Sequence, residues 1–553
     1  VTAGKALSAA VVAWAIAAGV ASVDGREQSG GGAVSSQAGV QAAPAPPPST
    51  PVSATCIVCH NNLVTPSGED VSIGSDWRAT MMANSARDPY WQAAVRREVM
   101  DHPEAAEAIE DECSICHMPG ATFAERQAGR KGRVFSRLPI GQRTAADDLL
   151  AADGVSCAVC HRISAAKLGT PESFTGGFVL DTSSHAGNGT MFGPFQIDPG
   201  RTTLMRSATG FVPTEAPHVQ SSELCATCHT LFTTALGPGH QALGRLPEQV
   251  PYLEWRHSAY RQSRSCQSCH MPVVTEPVPV SSVLGEPRES VSRHGFLGGN
   301  FFMMRMLNRY RAELGVAATP QEMETAIART IGHLERQTAT LEIVPAPPSA
   351  GRVQFDVVVG NLAGHKLPTA YPSRRAWLHV VVRDAAGRAI FESGEFRSNG
   401  SVGGNDNDED PRRFEPHYTR IDRPDQVQIY ESVMAGPDGA ITTGLLTGLR
   451  YLKDNRLLPQ GFDKTAAPAD VAVQGSARED PDFAAGGDRV RYSIDAATAA
   501  GPFQITAELW FQPIAFRWAE NLRAYDAFET RRFVRYYESM SAGSAIIVAR
   551  ASR

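Results

Sequence analysis

The sequence writes Cys-x-x-Cys-His five times, at Cys56–His60, Cys113–His117, Cys157–His161, Cys225–His229 and Cys266–His270. With the second thiols Cys59, Cys116, Cys160, Cys228 and Cys269, these copies use all ten cysteines. A two-residue gap lets one tight turn present both sulfurs to the same edge of a flat ligand, and the adjacent imidazole reaches a metal from one face. That is the chemistry of c-type haem attachment: two thioethers to the porphyrin and an axial nitrogen on iron. Zinc would need pairs combined into four-ligand sets, and five pairs do not divide. A disulfide framework fits the even count but leaves every motif histidine unexplained. Five covalently bound haem c groups are expected, with His60, His117, His161, His229 and His270 on iron.

Five irons have five further axial positions to close. The chain has 15 histidines, five of them inside the motifs. Of the others, His218, His294 and His365 are the first candidates, followed by His185 and Met82. His218 lies seven residues before Cys225, and His294 precedes Gly295-Phe-Leu-Gly-Gly, whose glycines allow close backbone approach to a flat ring. His365 stands between Gly364 and Lys366 in a loop shaped by Pro368. His102, His240 and His257 are held in reserve, whereas His333 on a helix and His379 on a strand read as structural.

Composition narrows the partners. With 42% hydrophobic and 20% charged residues the chain is globular. Its net charge of −6 supplies no basic excess to neutralise phosphates, which excludes nucleic acid. Residues 1–21 read as a basic start, an apolar run and a small-residue cleavage site, the pattern of a secretory signal. Residues 22–53 are a Gly-, Ser-, Ala- and Pro-rich linker. A periplasmic or extracellular address follows, with no membrane span once the signal is cleaved.

Unequal intervals between the motifs argue against a repeat array. The fold class expected is α+β and multidomain. A haem-dense, mostly helix and coil domain spans 54–338, and a β-sandwich-like domain spans 339–553. Helices are expected at Asp76–Val99, Asn300–Leu314, Pro320–Gln337 (capped by Thr319) and near Arg517–Tyr537. Strands are expected at 352–359, 377–382, 489–494 and 503–511, where β-branched or alternating runs occur. Asn405-Asp406-Asn407-Asp408-Glu409-Asp410 has the oxygen donors of a calcium loop without the twelve-residue pattern, so a solvated acidic turn is preferred to a calcium ion.

With the haem motifs and the loop Gly364-His365-Lys366-Leu367-Pro368-Thr369 in view, the chain resembles secreted bacterial multihaem c-type cytochromes carrying a C-terminal β-domain. The resemblance implies electron transfer to redox partner proteins or extracellular acceptors. Such proteins often carry Trp-x-x-Ser-x-His, whose histidine is a distal iron ligand. Here Met82 follows Trp77 and Tyr260 follows Trp255 at that position, which makes Met82 a candidate ligand. Electron transport without substrate chemistry is the leading reading. One alternative is an oxidoreductase with an open haem site, reducing nitrite, hydroxylamine or a sulfur oxyanion. A homo-oligomeric cytochrome filament is the other.

Overall fold

Prolines and side-chain caps cut the N-terminal part into short helices. The computed structural model describes residues 50–182, 188–347 and 349–553. The expected signal at 1–21 and most of the linker lie outside them. Helix α1 (Ile73–Arg78) ends in turns, and α2 (Pro89–Asp101) starts afresh. This corrects the single helix expected from Asp76 to Val99. A residue before proline is pushed out of the helical region. Asp88 there becomes an N-cap, accepting from the Tyr90 and Trp91 amides at 2.8 and 3.2 Å. Met82 consequently occupies the turn between the helices rather than a helix face.

Helix α3 (Ala106–His117) ends on the second motif. The hairpin β1 (Leu231–Leu236) and β2 (Ala242–Gln249) leads into α4 (Pro251–Arg256). The segment expected as Asn300–Leu314 forms α5 (Phe301–Arg309) and, after a break at Tyr310, a single turn at Arg311–Leu314. Helix α6 covers Pro320–Gln337 and opens on a reciprocal capping box. The Thr319 hydroxyl accepts from the Glu322 amide at 3.2 Å, and the Glu322 carboxylate accepts from the Thr319 amide at 2.9 Å.

From Ala339 the chain builds two large sheets and a smaller three-stranded one (Ser432–Ala435, Ile441–Thr442 and Arg450–Asp454), and the fold is α+β. The first has the order β7–β9–β4–β3, from β3 (Ala339–Pro345), β4 (Arg352–Asn361), β7 (Arg420–Ile421) and β9 (Gly487–Asp495). The second runs β6–β5–β10–β11, from β5 (Arg375–Arg383), β6 (Ala389–Ser393), β10 (Gln504–Gln512) and β11 (Ile546–Ser552). Strand β8 (Ile429–Tyr430) also pairs with β5. Alternating residues of both sheets share one core: Phe355, Val357 and Val490 from the first, Leu378, Val380 and Leu509 from the second. Phe355 faces Tyr492 across β4 and β9, their rings stacked at 5.2 Å.

The helix expected near Arg517–Tyr537 is divided into Phe516–Glu520, a 3-10 turn at Asn521–Ala524, and α7 (Phe528–Met540). The Thr530 hydroxyl accepts the Ala527 amide at 3.2 Å and so restarts the helix. Helix α7 packs on α2, with Tyr90 edge-on to Phe533 at 5.1 Å and Arg96 paired with Glu529 at 2.9 Å. The hydrophobic core therefore runs across residue 339 without interruption. No helix among the described residues is long and apolar enough to cross a membrane. Phe355→Ala removes a ring from the centre of this core and is expected to cost about 3–5 kcal/mol. Thermal unfolding followed by circular dichroism checks this, and an unchanged midpoint contradicts it.

Candidate functional site

One helical turn arms each motif. Backbone bonds from His60 to Cys56, His161 to Cys157 and His229 to Cys225, at 3.0–3.1 Å, close i to i+4 turns. That spacing puts both thiols and the imidazole on one face. Ser156 and Ser265 cap the third and fifth turns. All five faces open into a single cavity of about 1680 Å³, lined by every motif cysteine and histidine. Ordinary small-molecule pockets hold roughly 300–1,000 Å³, so this one suits several large groups. None of the ten cysteines is in a disulfide.

The imidazoles are oriented by the backbone. Nδ1 of His60 donates to the Val280 carbonyl at 2.6 Å, that of His117 to Ser85 at 3.1 Å, and that of His161 to Phe192 at 2.6 Å. His270 makes the same bond to Leu297. A carbonyl only accepts, so the proton sits on Nδ1 and the Nε2 lone pair stays free, the usual state of a metal-binding histidine. Burial pushes His117 and His229 down to about 4 and lowers His161 and His270 as well. These rings stay neutral at physiological pH.

Two motif imidazoles face a second imidazole. His294 lies 6.3 Å from His161 between ring centres, with planes 22° apart, and its Nδ1 donates to the Ser292 carbonyl at 3.1 Å. His365 lies 6.2 Å from His270, at 12°, and its Nδ1 donates to the Lys366 carbonyl at 2.9 Å. Metal–nitrogen bonds of about 2.0–2.1 Å on both sides would place two ring centres roughly 6–6.5 Å apart. His333 on α6 also lies 6.2 Å from His270, but tilted by 50°. Met82 lines the cavity from its turn. His218 does not line it; its Nε2 donates to the Ile163 carbonyl at 2.8 Å, which leaves the lone pair on Nδ1. His185 lies outside the described residues.

Thiols of different motifs meet. Cys56 lies beside Cys157, Cys116 beside Cys228 and Cys225 beside Cys266, each pair close enough for the thiols to act on one another. The charge of Cys228 also acts on Cys160. The fourth motif thus neighbours the second, third and fifth, while the first adjoins the third.

A buried ion network fastens the His365 loop. Lys366 pairs with Asp454 at 2.6 Å, Asp454 with Arg456 at 2.8 Å, and Arg456 with Glu254 of α4 at 3.0 Å. Glu254 also accepts from the Lys366 amide at 3.1 Å and from the Thr369 hydroxyl. Elsewhere on the wall stand Glu98, Glu112 and Glu248, all raised by burial, Glu248 to about 7. Tyr90 and Tyr371 stand beside them, their rings edge-on at 5.8 Å.

No family model matches the chain, and no curated protein matches it. Among solved structures it is similar to a penta-heme cytochrome c552 from Thermochromatium tepidum, with a TM-score of 0.53 and 15% identity. The match covers 92% of this chain and 100% of that one. At this identity the likeness concerns the fold.

Two other clusters have different explanations. In the acidic loop, Asp408 receives both Arg375 guanidinium nitrogens at 2.8 and 2.9 Å, Asp406 pairs with Arg413, and Asp410 pairs with Arg412 at 2.8 Å. Guanidinium groups thus pair with three of the four carboxylates in the segment considered for calcium. His417, Asp480 and Asp488 converge in the core. Nδ1 of His417 accepts from the Gln428 and Asn455 side-chain amides at 2.8 and 3.1 Å. Both amides are oriented by backbone amides that donate to their oxygens. The His417 proton therefore lies on Nε2, aimed at Asp480 at 2.9 Å, in a hydrogen-bond network without a free ligand nitrogen.

Sequence reasoning passed over His333. The signal was present in the spacing: Thr330, His333, Leu334 and Gln337 fall on one face of α6, and all four line the cavity. Asp454→Asn would leave Lys366 buried without an acid partner, and is expected to destabilise the protein by about 3–5 kcal/mol. Chemical denaturation measures the loss; a difference below about 1 kcal/mol, the scale of a surface pair, contradicts the network.

Proposed function

We propose that this chain is a multihaem c-type cytochrome that carries electrons through five covalently bound haems. The observation carrying this reading is that all five Cys-x-x-Cys-His motifs open into one cavity, four of them with the Nε2 lone pair of the histidine unspent. When bound, each haem supplies a reversible one-electron couple. The chain's own residues do the rest. Ten thiols tether, and five imidazoles ligate, four of them with basicity raised by the Nδ1 bonds to carbonyls. His294 and His365 close the sixth positions at the third and fifth motifs. The proximity of cysteines from different motifs sets successive sites side by side, with the fourth motif as the junction. The address is extracytoplasmic, where such attachment takes place, and the partners are redox proteins or extracellular acceptors.

Intact mass of the mature protein from a cytochrome-maturing host is expected to show five haem additions, and Cys225→Ser/Cys228→Ser one fewer. An unmodified polypeptide contradicts the proposal. His365→Ala should remove one bis-histidine signature from the low-temperature EPR spectrum; an unchanged spectrum contradicts that assignment.

A second reading has an observation of its own. Among the described residues, only His294, His333 and His365 join the five motif histidines on the cavity wall. Among the described residues these three leave at least two of the five sites without a second imidazole, and an oxidoreductase reducing nitrite, hydroxylamine or a sulfur oxyanion requires one such site. Glu248, raised to about 7, and the Tyr90–Tyr371 pair would hold protons beside it. This reading expects a high-spin ferric signal that shifts on adding nitrite or hydroxylamine. Five low-spin signals, unmoved by either, contradict it.

A further inference from the structure

Adjacent arginines at the start of β5 have opposite circumstances. Arg375 is fully paired, its Nε donating to Gln512 at 2.8 Å and its terminal nitrogens to Asp408. Arg374 lines the cavity, and its one hydrogen bond among the described residues goes from a terminal nitrogen to the Thr369 carbonyl at 3.0 Å. No carboxylate of the described residues is within ion-pair range of it. Burial alone pushes its pKa down to about 10, with no acid acting against the shift. By contrast, Arg201 on the cavity wall is matched by Asp198 and Glu286 at 2.7 and 2.9 Å.

A guanidinium stays protonated in a protein, and Arg374 is a half-buried charge that faces the cavity with no acid among the described residues to balance it, an arrangement that carries a cost. Such a cation calls for an anion, and its planar fork suits a carboxylate. Its position names the neighbourhood, because its charge acts on His229, His270 and His365. Those are the imidazole of the fourth motif and the pair at the fifth.

Resting on the reading of the chain as a haem carrier, we propose that Arg374 is a carboxylate receptor. It pairs with a propionate of the haem attached at Cys225/Cys228 or at Cys266/Cys269. A free oxyanion such as nitrite has the same chemistry and is the rival occupant.

The test uses the full-length haem-loaded protein and its Arg374→Met and Arg374→Lys variants, titrated spectropotentiometrically at several pH values with and without nitrite. Arg374→Met is expected to move one or two midpoint potentials negative, because a cation that favoured the reduced form is gone. Those same potentials should acquire a pH dependence, since the unpaired propionate becomes titratable. Arg374→Lys should keep most of the wild-type behaviour, which also controls for folding. Potentials that stay put, or move without new pH dependence, overturn the proposal. So does a saturable nitrite shift in wild type that Arg374→Met abolishes, which assigns the site to a free anion. Wild-type protein devoid of haem by mass would overturn the functional reading itself; five haems with unmoved potentials would overturn this assignment alone.

Discussion

Everything the cavity offers depends on what happens at the far side of each imidazole. A histidine whose Nδ1 proton is spent on a backbone carbonyl has one tautomer, one ring orientation and one unspent lone pair. Four of the five motif histidines are held this way, as are His294 and His365. For the motif histidines the acceptors come from remote chain, including Val280 for His60 and Ser85 for His117, whereas His294 and His365 use carbonyls one or two residues away. The coil between motifs is therefore constrained by the nitrogens it must orient. This explains how a region of short helices holds a defined site without a large sheet of its own.

The β-rich part contributes more than bulk. It delivers His365 opposite His270, and it anchors that loop through charges that cannot leave: Lys366, Asp454, Arg456 and Glu254 are all buried. One of these, Glu254, belongs to α4 and so ties the motif-bearing part to the sheets. The shared core does the same with apolar contacts, through α2 against α7. An imidazole pair facing each other at a metal's span needs this rigidity, because a small displacement of either ring would break the geometry.

Different features were legible in the sequence to different degrees, for physical reasons. The strands and α6 follow from local patterns: alternation along β4 and β10, and a cap at Thr319 whose partner lies three residues away. The break before α2 was overlooked because apolar spacing continues through it, although Asp88-Pro89 carried the stop signal. The motifs announce themselves, since attachment chemistry constrains five consecutive positions. Second ligands do not, because a distal histidine is defined only by where the chain brings it. His294 and His365, the proposed second ligands, sit beside glycines that allow close approach, and His218 differs from them in standing off the cavity wall with Nε2 on a carbonyl. His333 hid inside an ordinary amphipathic helix.

The most direct test of the account is a crystal structure of the mature protein with data collected at the iron absorption edge. The account expects five anomalous peaks inside the one cavity, each at bonding distance from Nε2 of a different motif histidine. Two of them should lie midway between His161 and His294 and between His270 and His365. Fewer peaks, or iron bound outside that cavity, would contradict it.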